Sequence, residues 1–221
     1  MISKVTNKPL SAFWDTKKGK YFTNKIAVAL AHSAIQAGEI DPEGKTDQQL
    51  RDEVMSFLRT VVYSKKEIRM IADLRSTLLR EARRYQASNS EQLSVIMYAT
   101  WFEHWINNVV STMAKRGGHS DQSATQMICD TSIRAKFTWL VSLLGLSPIK
   151  KQYADIIFSL AEHRNAYVHY KWEARPEQLD RKREQEIQGL LGKVSAVVNY
   201  LHRYENKHLY RGLKHRVTKM L

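Results

Sequence analysis

Cysteine is nearly missing from this chain. Cys129 is the sole one in 221 residues, so no disulfide forms within the chain and no cysteine-based zinc site exists. A reducing compartment is the expectation. Chain breakers are scarce too. Nine glycines and four prolines leave few forced stops and favour long helices. Acids are short relative to bases: 22 Asp and Glu face 35 Lys and Arg, a formal charge of +13. That balance favours a polyanion as partner, RNA or DNA first and an acidic membrane surface second. The plainer reading is a basic protein with no such partner. Long apolar runs are absent. The best, 137-FTWLVSLLGL-146, is too short to span a bilayer. The opening MISKVTNKPLSAFWDTKKGK has no apolar h-region, so no secretory signal and a cytoplasmic location are expected. GxxxxGK, HExxH and serine-nucleophile motifs are all lacking. The histidines show no metal-ligand spacing, so neither a structural metal nor a cofactor is expected.

What is present is helical periodicity. Hydrophobic residues make up 43% of the chain, a composition that folds. Residues 23–38 look helical and stop at Gly38, followed by a loop, 39-EIDPEGKTD-47. A polar helix is expected from about Thr46 and another from about Lys65 to Ala87. Ser88 and Glu91 have capping-box spacing ahead of a helix. That helix is apolar on most of its circumference, through Trp101, Phe102, Trp105 and Ile106, and stops at Gly117–Gly118. A further helix runs through Ile133, Phe137, Leu140, Val141 and Leu144. Ser147 and Pro148 look like the N-cap and first position of the next. A last long helix begins near Pro176. No segment reads persuasively as a strand. The fold class is therefore all-α, with residues 1–60 a partly helical extension and 61–221 a helical bundle ending in a basic tail.

One stretch stands out, 161-AEHRNAYVHYKW-172. Ile157, Leu160, Ala161, Arg164 and Val168 follow one another at three and four residues, so Arg164 continues an apolar stripe. An arginine buried there needs a carboxylate or a phosphate, since an unpaired one costs about 3–5 kcal/mol. Asn165 and His169 are four apart, close enough for the amide to orient the imidazole. Arg164 and His169 are about 140° apart on a regular helix. The trio suits RNA cleavage without metal, in which the 2′-hydroxyl attacks the adjacent phosphate. Histidine transfers protons near neutral pH, and arginine offers a fork of donors to phosphate oxygens. One motif supplies one histidine, and two copies across a two-fold axis supply two.

The motif 164-RNAYVH-169, late in an all-α chain, resembles that of the HEPN superfamily. The run 133-IRAKFTWLVSLLG-145 is similar to the helix leading towards it, and 93-LSVIMYATWFEHWINNVV-110 to the earlier central helix, with an acid at Glu103. The likeness covers roughly Lys65 to Glu205. It implies a HEPN-like helical bundle and a metal-independent endoribonuclease, usually a homodimer whose two motifs meet in one cleft. It also implies a toxin or phage-defence effector with an antitoxin or regulatory protein as partner, or a relative that has lost activity and binds RNA or protein. Toxins paired with nucleotidyltransferase antitoxins often carry a tyrosine two residues after the histidine. Here that position is Lys171, with tyrosine at 170, which sets this chain apart from that subgroup.

Each of these residues has a second reading. Arg164 is a phosphate binder or a structural arginine held by Glu103 or Glu162. His169 is a proton-transfer group or a hydrogen-bonded core histidine. Glu103 is read as an orienting partner. Tyr170 and Lys171 are candidate RNA contacts, as are Arg211, Lys214 and Arg216 in the acid-free tail 206-NKHLYRGLKHRVTKML-221. A solvated tail, or one docking on a partner, is the alternative.

Overall fold

The computed structural model describes residues 15–64, 73–169, 177–212 and 214–220. In chain order these form α1 (Lys17–Ala37), α2 (Asp47–Tyr63), α3 (Arg75–Ala87), α4 (Glu91–Arg116), α5 (Asp121–Cys129) and α6 (Ile133–Ala135). A π-helical stretch (Lys136–Leu140) comes next, then α7 (Val141–Leu143), α8 (Lys151–Val168), α9 (Glu177–Leu209) and α10 (Lys214–Met220). Among the described residues there is no strand, and the protein is all-α. Nor is any of these helices long and apolar enough to cross a membrane. The chain divides into two compact units, Met1–Ile68 with Asn206–Leu221, and Arg69–Glu205. The tail that the sequence places on the bundle thus clusters with the N-terminal segment.

In the first unit, α1 starts before the apolar periodicity does because Thr16 caps it: the Gly19 N–H donates to Thr16 Oγ1 at 3.0 Å. It ends where expected, on Gly38, whose φ of 80° is left-handed and cheap only for glycine. The helix α2 opens on a full capping box. The Gln49 N–H donates to Thr46 Oγ1 at 3.3 Å, and the Thr46 N–H to Gln49 Oε1 at 2.8 Å. Thr46→Ala removes one half of that box and should cost about 1 kcal/mol, read as a lower urea midpoint at unchanged slope. The small core gathers Ala31, Ala34, Ile35, Ile40, Leu50 and Val54 with Leu209 and Tyr210. The Gln36 amide donates to Tyr210 Oη at 2.6 Å, and the His32 ring meets Tyr210 edge-on.

In the second unit α4 is central, as its nearly continuous apolar surface demands. Tyr98, Trp101, Phe102, Trp105 and Ile106 are each at most 1% exposed, and α3, α5, α8 and the π stretch pack on this helix. Trp105 stacks on Phe137 with centroids 5.9 Å apart and meets Tyr204 edge-on.

Three expected boundaries differ. The Ser88–Glu91 capping box does not form. Ser88 closes α3 with its N–H on Arg84 O, and Asn89, at φ 55°, reverses the chain so that α4 starts at Glu91. Asparagine tolerates this left-handed turn. Ser147 does not cap α8 either. Its carbonyl accepts from Tyr204 Oη, residues 145–150 stay non-helical, and the helix begins at Lys151. Third, the helix read from about Lys65 is described from Arg75, residues 65–72 lying outside the described ones.

Candidate functional site

The inward face of α8 runs through Ile157, Leu160 and Ala161, all buried. Arg164 comes one turn later on the same stripe, and its side chain is 23% exposed. Of the two partners expected for it, a carboxylate or a phosphate, it meets a carboxylate: Nη2 donates to Glu103 Oε2 on α4 at 3.1 Å. Glu162, the other candidate partner, instead accepts from Arg134 at 3.1 Å. Arg164 Nε is buried with no protein acceptor, so the guanidinium is anchored by one edge and only partly satisfied.

A second cation reaches the same face of α4. Lys136, first residue of the π stretch, is 3% exposed, and its Nζ donates to Asn107 Oδ1 at 2.8 Å. Glu103 and Asn107 lie one turn apart on α4 and therefore side by side. Burial pushes the Lys136 ammonium below its ordinary pKa, and the Glu103 carboxylate offsets part of that shift. π turns are rare and concentrate at functional sites. This one sets a lysine into a wall that otherwise holds Phe137 and Leu140. Sequence reasoning missed Lys136 and Asn107. The signal was there: Lys136 sits between Ile133 and Leu140 on the apolar stripe, as Arg164 does on its own.

The remaining motif residues face outward. Asn165 and His169 are both exposed. The helix α8 ends at Val168, and His169 is its C-cap, with its backbone N–H on Asn165 O at 3.1 Å. The bond that joins the two residues is this backbone one, and not the side-chain contact expected. Arg164 thus holds the core side of the helix end, while the imidazole stands in solvent five residues on. Tyr170 and Lys171 lie outside the described residues.

The tail cations are engaged within the first unit. Arg211 Nη1 donates to Asp41 Oδ2 at 2.8 Å and also reaches Glu43. Arg216 pairs with Asp47 and donates to Lys45 O at 2.7 Å. The Lys214 ammonium lies 4.8 Å from the Tyr210 ring centroid. Arg211 and Arg216 thus hold carboxylates of the 41–47 region. Among the described residues no group of three or more His, Cys, Asp and Glu is arranged around a metal position.

Next to the motif, His163 is 12% exposed, with Nε2 3.8 Å from Glu186 Oε1 on α9. Burial lowers its pKa from the usual 6.5, and Glu186 offsets part of the shift. A basic group with a depressed folded-state pKa binds fewer protons folded than unfolded. Its contribution to stability therefore falls as pH drops below 6.5 towards the folded value and returns as pH rises. Urea midpoints should decline on acidification through this window, less steeply for His163→Gln than for wild type.

Comparison with known proteins returns no match: no family model, no curated protein and no solved structure aligns with this chain.

Proposed function

We propose that this chain is a metal-independent endoribonuclease of the HEPN type, acting as a toxin or phage-defence effector. One observation carries the reading. At the end of α8 a half-buried guanidinium is fixed at 3.1 Å from Glu103, and an amide and an imidazole stand exposed within the next five residues. In the proposed reaction the RNA 2′-oxygen attacks phosphorus as His169 takes its proton. Arg164 stabilises the charge on the phosphorane. The bond to the 5′-oxygen breaks as a second imidazole protonates that oxygen, leaving a 2′,3′-cyclic phosphate and a 5′-hydroxyl. Each chain carries one such motif, so a second copy would supply the second imidazole. Asn165 orients the phosphate, and an antitoxin or other regulatory protein holds the activity in check.

A second reading has its own support. The Arg164–Glu103 pair, with Nε turned into the protein, is also what a structural arginine would show. On that reading the chain is a catalytically inactive module that binds RNA or protein. The deciding test incubates wild type, Arg164→Ala and His169→Ala with total RNA and tRNA in EDTA and assays the ends. Cyclic phosphate and 5′-hydroxyl ends from wild type alone support the nuclease. No cleavage of varied RNAs, with variants binding RNA as wild type does, sinks it.

A further inference from the structure

The first three turns of α1 are arranged against their own stability. The segment 17-KKGKYFTNK-25 places Lys17, Lys18, Lys20 and Lys25 in an exposed row, and α1 contains no acid. Three of the four lie in the first turn, where the positive end of the helix dipole disfavours cations. Lys17 and Lys20 are also three apart, a repulsive spacing. Between the lysines stand exposed aromatics: Tyr21 is 65% exposed and Phe22 47%. The Lys25 ammonium lies 5.3 Å from the Tyr21 ring centroid. Elsewhere in this unit Lys45, Arg211 and Arg216 have carboxylate partners. The four lysines of α1 form none of the ion pairs seen among the described residues.

The order of these side chains around the helix selects the partner. At about 100° per residue, the sequence around the axis is Lys20, Lys17, Tyr21, Lys25, Lys18, Phe22, within an arc of about 200°. A ring follows each pair of lysines, so charge and ring are interleaved and not segregated. A helix that lies on a membrane separates an apolar face from a cationic one. Single-stranded nucleic acid needs the opposite: cations along its backbone, with ring faces between them for the bases. We infer that the Lys17–Lys25 ridge of α1 is a docking surface for single-stranded nucleic acid, with the four lysines on successive phosphates and Tyr21 stacking a base.

The test reads binding, so it stands whether or not the chain cuts RNA. The probes are a fluorescein-labelled 2′-O-methyl RNA of about 20 nucleotides, which lacks the attacking hydroxyl, and DNA of the same sequence. Lys17→Gln/Lys18→Gln/Lys20→Gln/Lys25→Gln should bind at least about tenfold more weakly. Its slope of log K against log salt should be shallower by about 3, from ~0.7 for each phosphate contact to a single strand. Tyr21→Ser should lose about tenfold with the slope unchanged, as removal of a stacking ring does. All the altered residues are exposed, and circular dichroism would verify the fold. Wild-type affinity in the quadruple variant, or no binding by wild type, overturns the proposal. So does loss of binding to phosphatidylserine vesicles while oligonucleotide binding is unchanged, which would make the ridge a membrane contact.

Discussion

On the proposed nuclease reading, His169→Ala should cut RNA ~10²–10⁴-fold more slowly than wild type, the usual contribution of a positioned proton-transfer group. The substitution isolates chemistry from folding. His169 is exposed at the end of α8, and its bond to Asn165 is made by the backbone, so alanine should leave stability within about 0.5 kcal/mol of wild type. Arg164→Ala should be at least as damaging to cleavage. Arg164→Lys should not restore the rate, because an ammonium lacks the planar fork that spans two phosphate oxygens. The arginine variant tests structure as well. Removing the guanidinium takes away one of two cations facing α4, but Glu103 is 35% exposed and Lys136 remains beside it. A folded, inactive Arg164→Ala protein therefore fits the nuclease. A folded Arg164→Ala protein that cuts at the wild-type rate would relegate the pair to structure.

Trp105→Ala should destabilise the second unit by about 3–5 kcal/mol. The indole is fully buried, stacks on Phe137 and meets Tyr204 edge-on. Alanine would leave a cavity between α4, the π stretch and α9, bounded by rigid rings that collapse poorly. At roughly 2–4 °C per kcal/mol for a protein of this size, calorimetry should show the melting temperature falling by about 6–20 °C. A partial offset is built in. Trp105 Nε1 is a buried donor with no protein acceptor, and its removal relieves that cost, about 1–3 kcal/mol. Trp105→Phe keeps most of the ring and drops the donor, so it should cost clearly less than alanine. A Phe variant as unstable as alanine would contradict the packing account.

Much of this architecture was legible in the sequence because burial leaves a periodic trace. The stripe through Trp101, Trp105 and Ile106 announced a central helix, and α4 is that helix. Arg164, interrupting another stripe, announced a carboxylate or a phosphate as partner, and in the structure Glu103 meets it. What failed to show were choices among near-equal local options. Ser88 and Ser147 both have good capping chemistry, yet each is engaged elsewhere, Ser88 in closing α3 and Ser147 by the Tyr204 hydroxyl. The tail offered no internal sign that Arg211 and Arg216 would find Asp41, Glu43 and Asp47. Those acids lie far away along the chain, and a run of cations looks the same whether it faces an RNA or a loop. The ridge on α1 was overlooked for a related reason: its lysines and rings, read one by one, resemble an ordinary wet surface.

The π turn at Lys136–Leu140 has a consequence for how this chain can change over time. A π turn holds about one residue more than an α turn covering the same contacts. It behaves as a phase shifter set between α6 and α7, turning the one by about 100° relative to the other. Loss of a single residue within 137–140 would restore an ordinary α helix and shorten nothing else. It would also turn Lys136 by about 100° relative to α7 and so off Asn107. Point substitutions can grade the strength of the Lys136–Asn107 bond, but a one-residue indel would act on it as a switch. The length of this turn, more than its composition, therefore decides whether the lysine stays in the wall.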